Sequence, residues 1–212
     1  MMVKALLFDF DGTLLNTNTL IIETFRHVLE EYAPGKYTDE DYVRFIGPSL
    51  EQTFLAECPD CTAEMVHKYR MWNQAHHDTL VSEYPNVKET LEALHAQGIK
   101  LAIVTTKIRT TMERGLQLMG VAHLFDVTIT LDDVDHPKPH AEPIEKALAQ
   151  LGVCREEALM IGDNSHDIEG GKNAGVKTAG VAWSIKGEAF LRSLHPDYIL
   201  HDMLDLLDIV KE

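Results

Sequence analysis

From Pro85 onward the chain alternates short apolar runs with stretches of helical periodicity, and few architectures accommodate that pattern. Lys100–Thr105, Phe125–Leu131, Ala158–Ile161, Lys177–Ala182 and Tyr198–Leu200 read as strands. Between and after them, Val87–Gln97, Thr110–Met119, Pro143–Leu151, Asp167–Ala174, Glu188–Leu194 and Met203–Val210 read as helices. Gly98 and Gly120 follow two of these helices, and Pro143 suits the first position of another. A further strand, Val3–Phe10, opens the chain and stops at Asp11-Gly12-Thr13. Strands that are apolar without alternation are buried on both faces, so the pattern predicts an α/β fold, a doubly wound and mostly parallel sheet. Residues 16–81 break the alternation. They show helical patterns over Thr17–Tyr32, Asp39–Phe45, Leu50–Ala56 and Ala63–Val81, punctuated by Pro34-Gly35, Gly47-Pro48 and Cys58-Pro59. The expected organisation is an α/β core of residues 1–15 and 82–212 carrying a helical insertion of residues 16–81, with the amphipathic first helix serving that insertion's own core.

Sheets of this kind bind ligands beyond the carboxyl ends of their strands. Four polar clusters fall there: Asp9 with Asp11, Thr105, the Asp132–Lys138 region, and Asp163 with Asp167. Two carboxylates at i and i+2 can point to one side, and Gly12 permits a tight turn with close backbone approach. Acids so close together are costly without a cation, and magnesium prefers hard oxygen ligands. The competing reading is that Asp11 and Asp163 each begin a helix as its cap. Lys138, between Pro137 and Pro139, is a stiffly presented cation, and Thr105 can donate a hydrogen bond to a phosphate oxygen. Together these groups supply charge neutralisation and positioning, which is what phosphoryl transfer needs.

The order Asp9-x-Asp11-Gly12-Thr13, Thr105, Lys138, Gly162-Asp163-x-x-x-Asp167 resembles the motifs of haloacid-dehalogenase-superfamily phosphatases, over the whole chain. The resemblance implies a Rossmann-like core with a small helical cap inserted after the first motif. It also implies that Asp9 is the nucleophile, that Asp11 protonates the leaving oxygen and later activates water, and that Thr105 and Lys138 hold phosphoryl oxygens. Magnesium would lie on the Asp9 carboxylate, the Asp11 carbonyl and Asp163, with Asp167 supporting them. The dehalogenases of this superfamily lack the second acid of the first motif, which Asp11 supplies here; phosphomutases with such a cap keep it. Phe45-Ile46-Gly47-Pro48, Val104-Thr105-Thr106-Lys107, Thr130-Leu131-Asp132-Asp133-Val134 and Gly180-Val181-Ala182-Trp183 resemble the bacterial inorganic pyrophosphatases linked to HPr-serine-phosphate dephosphorylation. Phosphoglycolate phosphatases share much of that pattern, and Ala141 stands where relatives often carry proline.

Charge bears on the substrate. The formal net charge is −15, which argues against a nucleic-acid partner and requires positive charge to be concentrated locally at any phosphate site. Pyrophosphate leaves as a phosphate, so its site needs cations beyond magnesium and Lys138; Lys107, Arg109 and Arg44 are the candidates. The favoured expectation is therefore hydrolysis of a small phosphorylated substrate, pyrophosphate first, ahead of a phosphoglycolate-type phosphatase or sugar phosphomutase. An inactive regulatory or binding module is the reading from another class. No apolar run reaches a membrane span, no signal core opens the chain, and three cysteines, Cys58, Cys61 and Cys154, suit a reducing cytoplasm. Cys58-x-x-Cys61 lacks a second pair for zinc, and His76, His77 and His166 are expected to be solvated.

Overall fold

The computed structural model describes residues 2–212. The chain divides into two compact units, one of residues up to Leu15 with Glu83–Glu212, the other Asn16–Ser82.

The second unit is helical: α1 (Asn18–Tyr32), α2 (Asp39–Arg44), α3 (Leu50–Glu57) and α4 (Thr62–Leu80). Its centre is Phe25, whose ring lies 4.8 Å from Tyr69, 5.3 Å from Phe45 and 5.6 Å from Phe54. α2 and α3 each begin with a reciprocal cap, Thr38 with Asp41 and Ser49 with Gln52, which explains how such short helices hold their ends. Thr24 and Asn73 bond to each other at 3.1 Å inside the α1–α4 contact, so the buried amide is satisfied. Two expectations change here. Cys58 and Cys61 are joined by a disulfide, and His77 is fully buried with Nδ1 at 2.8 Å from Asp78 Oδ1.

The first unit holds a six-stranded sheet: β1 (Ala5–Phe8), β2 (Lys100–Val104), β3 (Val127–Ile129), β4 (Ala158–Gly162), β5 (Lys177–Val181) and β6 (Tyr198–Leu200). Every pairing is parallel and the order is β3-β2-β1-β4-β5-β6. The two central pairings reverse the direction in which the chain winds, which places a crevice at the carboxyl ends of β1 and β4. Helices α5 (Val87–Ala96), α6 (Arg109–Met119), α7 (Glu142–Leu151), α8 (Ser165–Ala174), α9 (Glu188–Ser193) and α10 (Leu206–Ile209) connect and follow the strands. Leu7, Val104, Met160 and the α7 residues Ile144 and Leu148 form one continuous buried cluster. All four residues of β1 are fully buried, as an uninterrupted apolar run requires of a central strand.

Register sets the height of each strand end. Phe8 pairs with Ile103 on one side and Ile161 on the other. Asp9 therefore stands level with Val104 and Gly162, and its N–H donates to Ile161 O at 2.8 Å. Thr105 and Asp163 follow one step on. Residues far apart in sequence share one sheet edge because three strands stop together.

Candidate active site

Lys138 is the centre of the edge. Its Nζ donates to Asp9 Oδ1 at 2.9 Å, Asp167 Oδ1 at 2.6 Å and Val104 O at 2.6 Å, and its side chain is 2% exposed. An ammonium has three N–H groups, and all three are engaged. The loop that delivers it contains a cis Lys138–Pro139 bond. Burial pulls the Lys138 ammonium downward, but Asp167 and Asp9 together outweigh it, and the group is held above its ordinary value.

Three acids surround that lysine. Ligand oxygens of Asp9, Asp163 and Asp167 lie within 4.8 Å of one another, and all three residues are buried. Burial pushes the Asp9 carboxyl up to about 7, opposed by Lys138 and aided by Asp167. Burial also raises Asp163 well above the ordinary carboxylate range, with Asp167 and Asp9 adding to it. Asp163 Oδ2 is buried with no hydrogen-bond partner. An orphaned buried carboxylate oxygen is expensive, and here it belongs to a cluster of three carboxylates on which Lys138 and Lys186 both act. The donor set is all oxygen and carries excess negative charge, so it fits a hard divalent cation such as magnesium.

Two glycines make room for the acids. Gly12 has φ +78°, and a Cβ there would lie 2.3 Å from Asp163 Oδ2. A Cβ on Gly162 would lie 2.2 Å from Asp167 Cβ. Neither Asp11 nor Asp163 caps a helix. The cap of α8 is Asn164, whose Oδ1 accepts from Ser165 N–H while Asp167 Oδ2 accepts from Asn164 N–H at 3.0 Å. Asp167 thus joins the helix start to Lys138 through its two oxygens.

Asp11 is held differently. Both its carboxylate oxygens accept from Lys107 Nζ, at 2.8 and 3.0 Å. Lys107 N–H in turn donates to Thr105 Oγ1 at 3.2 Å, leaving the threonine hydroxyl hydrogen for another acceptor. The other proposed cations do not join this group. Arg109 donates to Thr128 Oγ1, Thr128 O and Asp133 Oδ2, and so braces the end of β3. Arg44 is exposed, within the helical unit, and pairs with Asp41. From the Asp132–Lys138 region only Lys138 reaches the acids, since Asp132 accepts from Arg109 N–H and Asp133 caps the turn at Thr130.

Sequence reasoning passed over Ser184 and Lys186. Ser184 Oγ donates to Asp163 O at 2.7 Å, and Lys186 Nζ lies 3.2 Å from Asn164 Oδ1. Burial lowers the Lys186 ammonium, partly offset by Asp163 and Asp167. Both residues follow the carboxyl end of β5, so the strand-end rule applied to that strand finds them.

The motif order and this geometry have counterparts. A family model described as haloacid dehalogenase-like hydrolase matches residues 6–181. A "Pyrophosphatase PpaX" of Anoxybacillus flavithermus is 56% identical over 210 residues, covering 99% of this chain and 98% of that protein. One from Bacillus cereus is 52% identical over 212 residues, covering 100% and 98%. Among solved structures, a haloacid dehalogenase-like family hydrolase from Streptococcus pneumoniae superposes with a TM-score of 0.85 at 30% identity, covering 97% of each chain. A predicted phosphoglycolate phosphatase from Haemophilus somnus superposes with a TM-score of 0.86 at 27% identity, covering 99% of this chain and 98% of that one.

Proposed function

The chain belongs to the haloacid dehalogenase-like hydrolases, and from that premise we propose that it is a magnesium-dependent inorganic pyrophosphatase acting through phosphorylation of Asp9. The observation that carries the chemistry is the buried trio Asp9, Asp163 and Asp167 gathered around a single lysine, with Asp163 Oδ2 left unpartnered. The choice of pyrophosphate is supported by relatives that bear that activity in their names and are 52–56% identical over 98% of their length.

In this reading Asp9 attacks phosphorus, the bridging P–O bond breaks, and the electron pair stays on the departing phosphate. Water then attacks the phosphorus of the aspartyl-phosphate and Asp11 takes its proton; the P–O bond to Asp9 breaks, which restores the Asp9 carboxylate, and Asp11 passes the proton on to solvent as phosphate leaves. Thr105 holds the phosphoryl oxygens during both steps, and Lys138 joins it by exchanging its bond to Asp9 Oδ1 for one to a phosphoryl oxygen once Asp9 is phosphorylated. Asp9, the Asp11 carbonyl and Asp163 would hold magnesium, and Asp167 keeps Lys138 and the α8 start in place. The ion, when bound, offsets the charge of the phosphoryl group and of the acids.

The helical unit, inserted just after Asp9 and Asp11, is assigned the part of a cap that selects substrate. A cytoplasmic setting goes with this reading. Phosphate release by purified protein in excess magnesium, compared between pyrophosphate and phosphoglycolate, is the test. The expected result is a higher kcat/KM for pyrophosphate; the reverse order overturns the substrate assignment.

A further inference from the structure

Lys107 has a placement that positioning of Asp11 alone does not require. Lysine side chains ordinarily carry their ammonium out to water on a flexible stem, yet this one is 9% exposed. Its main chain is fixed at both polar groups: N–H donates to Thr105 Oγ1 at 3.2 Å, and C=O accepts from Leu131 N–H at 3.1 Å. Its Nζ meets both oxygens of one carboxylate, Asp11, which leaves one of its N–H groups for a further acceptor.

We propose that Lys107 selects phosphoanhydrides, by binding the phosphate that departs when Asp9 attacks its neighbour. The proposal rests on the roles given to Asp9 and Asp11 above. Asp11 works where the bridging oxygen leaves and where water enters, so an ammonium within 3.0 Å of both its oxygens stands beside the leaving group. Lys138 stands elsewhere: its Nζ lies on Asp9, Asp167 and Val104, at the group that Asp9 attacks, and makes no bond to Asp11. Arg109 is committed to Thr128 and Asp133. When the anhydride bond breaks, the electron pair collects on a phosphate that already carries charge, and a fixed cation beside it lowers that barrier. A phenolate leaving group has much less charge to offset.

The experiment uses the full chain in excess magnesium with pyrophosphate and p-nitrophenyl phosphate. p-Nitrophenolate also departs without needing a proton, so the comparison isolates the charge of the leaving group. Lys107→Met is expected to lower kcat/KM for pyrophosphate roughly 10- to 100-fold more than for the aryl ester, the loss belonging to one charge-assisted contact. Lys107→Arg should recover part of the difference. Equal losses on both substrates overturn the proposal, because they mean that Lys107 acts only through Asp11. A measurement on wild-type protein guards against a variant that fails to fold. Imidodiphosphate, a pyrophosphate mimic, should protect Lys107 from acetylation as read by mass spectrometry, and equal labelling with and without it also overturns the proposal. Wild-type protein that hydrolyses the aryl ester but not pyrophosphate refutes the proposed function instead, a distinct result.

Discussion

Replacing Lys138 with methionine tests whether the site is held together by one cation. Methionine fills much of the lysine stem's volume but donates nothing, so Asp9 Oδ1, Asp167 Oδ1 and Val104 O lose their shared donor in a buried place. Breaking a buried charge pair by removing one partner costs about 3–5 kcal/mol, and here two carboxylates lose the same partner. Protonation limits that cost. Burial already holds Asp9 near 7, and without Lys138, which opposes that shift, the carboxyl rises further. A group whose folded pKa lies above its unfolded value of about 3.9 binds more protons in the folded state, so stability falls as pH rises between the two values. The loss in the variant is therefore largest near pH 8 and smaller near pH 5. Urea unfolding of metal-free wild-type and Lys138→Met protein at both pH values measures it. A stability difference below about 1 kcal/mol at pH 8, or one that grows toward pH 5, refutes the argument.

Other outcomes follow from the same edge. Asp9→Asn keeps the shape of the side chain and removes its attacking charge, so turnover should fall on the order of a thousandfold; more than a tenth of wild-type activity in a clean preparation would rule out attack by Asp9. Chelation by EDTA should abolish activity, with magnesium restoring it and calcium inhibiting because its looser shell disturbs in-line geometry; full activity after exhaustive chelation would remove the metal from the mechanism. In Gly12→Ala the new methyl meets Asp163 Oδ2 at a backbone of φ +78°, so magnesium should bind at least tenfold more weakly, measured by titration calorimetry, and unchanged affinity would count against Gly12 as the spacer of the acids.

The strands were legible because their burial is extreme: runs such as Leu101–Val104 and Ala158–Ile161 are apolar at every position, and a central parallel strand is the environment that tolerates this. The acids, Thr105 and Lys138 were found by placing polar residues at strand ends, and register then brought them level. Boundaries moved where local polar chemistry intervened. The helix read from Asp167 begins at Ser165, because Asn164 and Asp167 cap each other, and Pro143 is second in α7 because Glu142 already belongs to the helix. The strand read over Phe125–Leu131 shortens to Val127–Ile129, since Thr130 and Asp133 close a turn. Which cations serve the site was not legible. Lys107 and Arg109 are two residues apart and both cationic, and only the fold shows one on Asp11 and the other on Thr128. The partial burial of Lys186 was hidden for the same reason, because nothing in its neighbours marks where the loop after β5 turns.

Asp9 and the lysine it meets stand 129 residues apart in sequence. Closing so long a loop is entropically costly until the intervening strands have paired, and contacts of this range form late when a chain folds. Asp9 therefore cannot gain its partner in a nascent or truncated chain that lacks β2, β3 and the loop after them. A molecule that stops short of that loop displays Asp9 and Asp11 without Lys138, and so lacks the cation around which these acids are gathered.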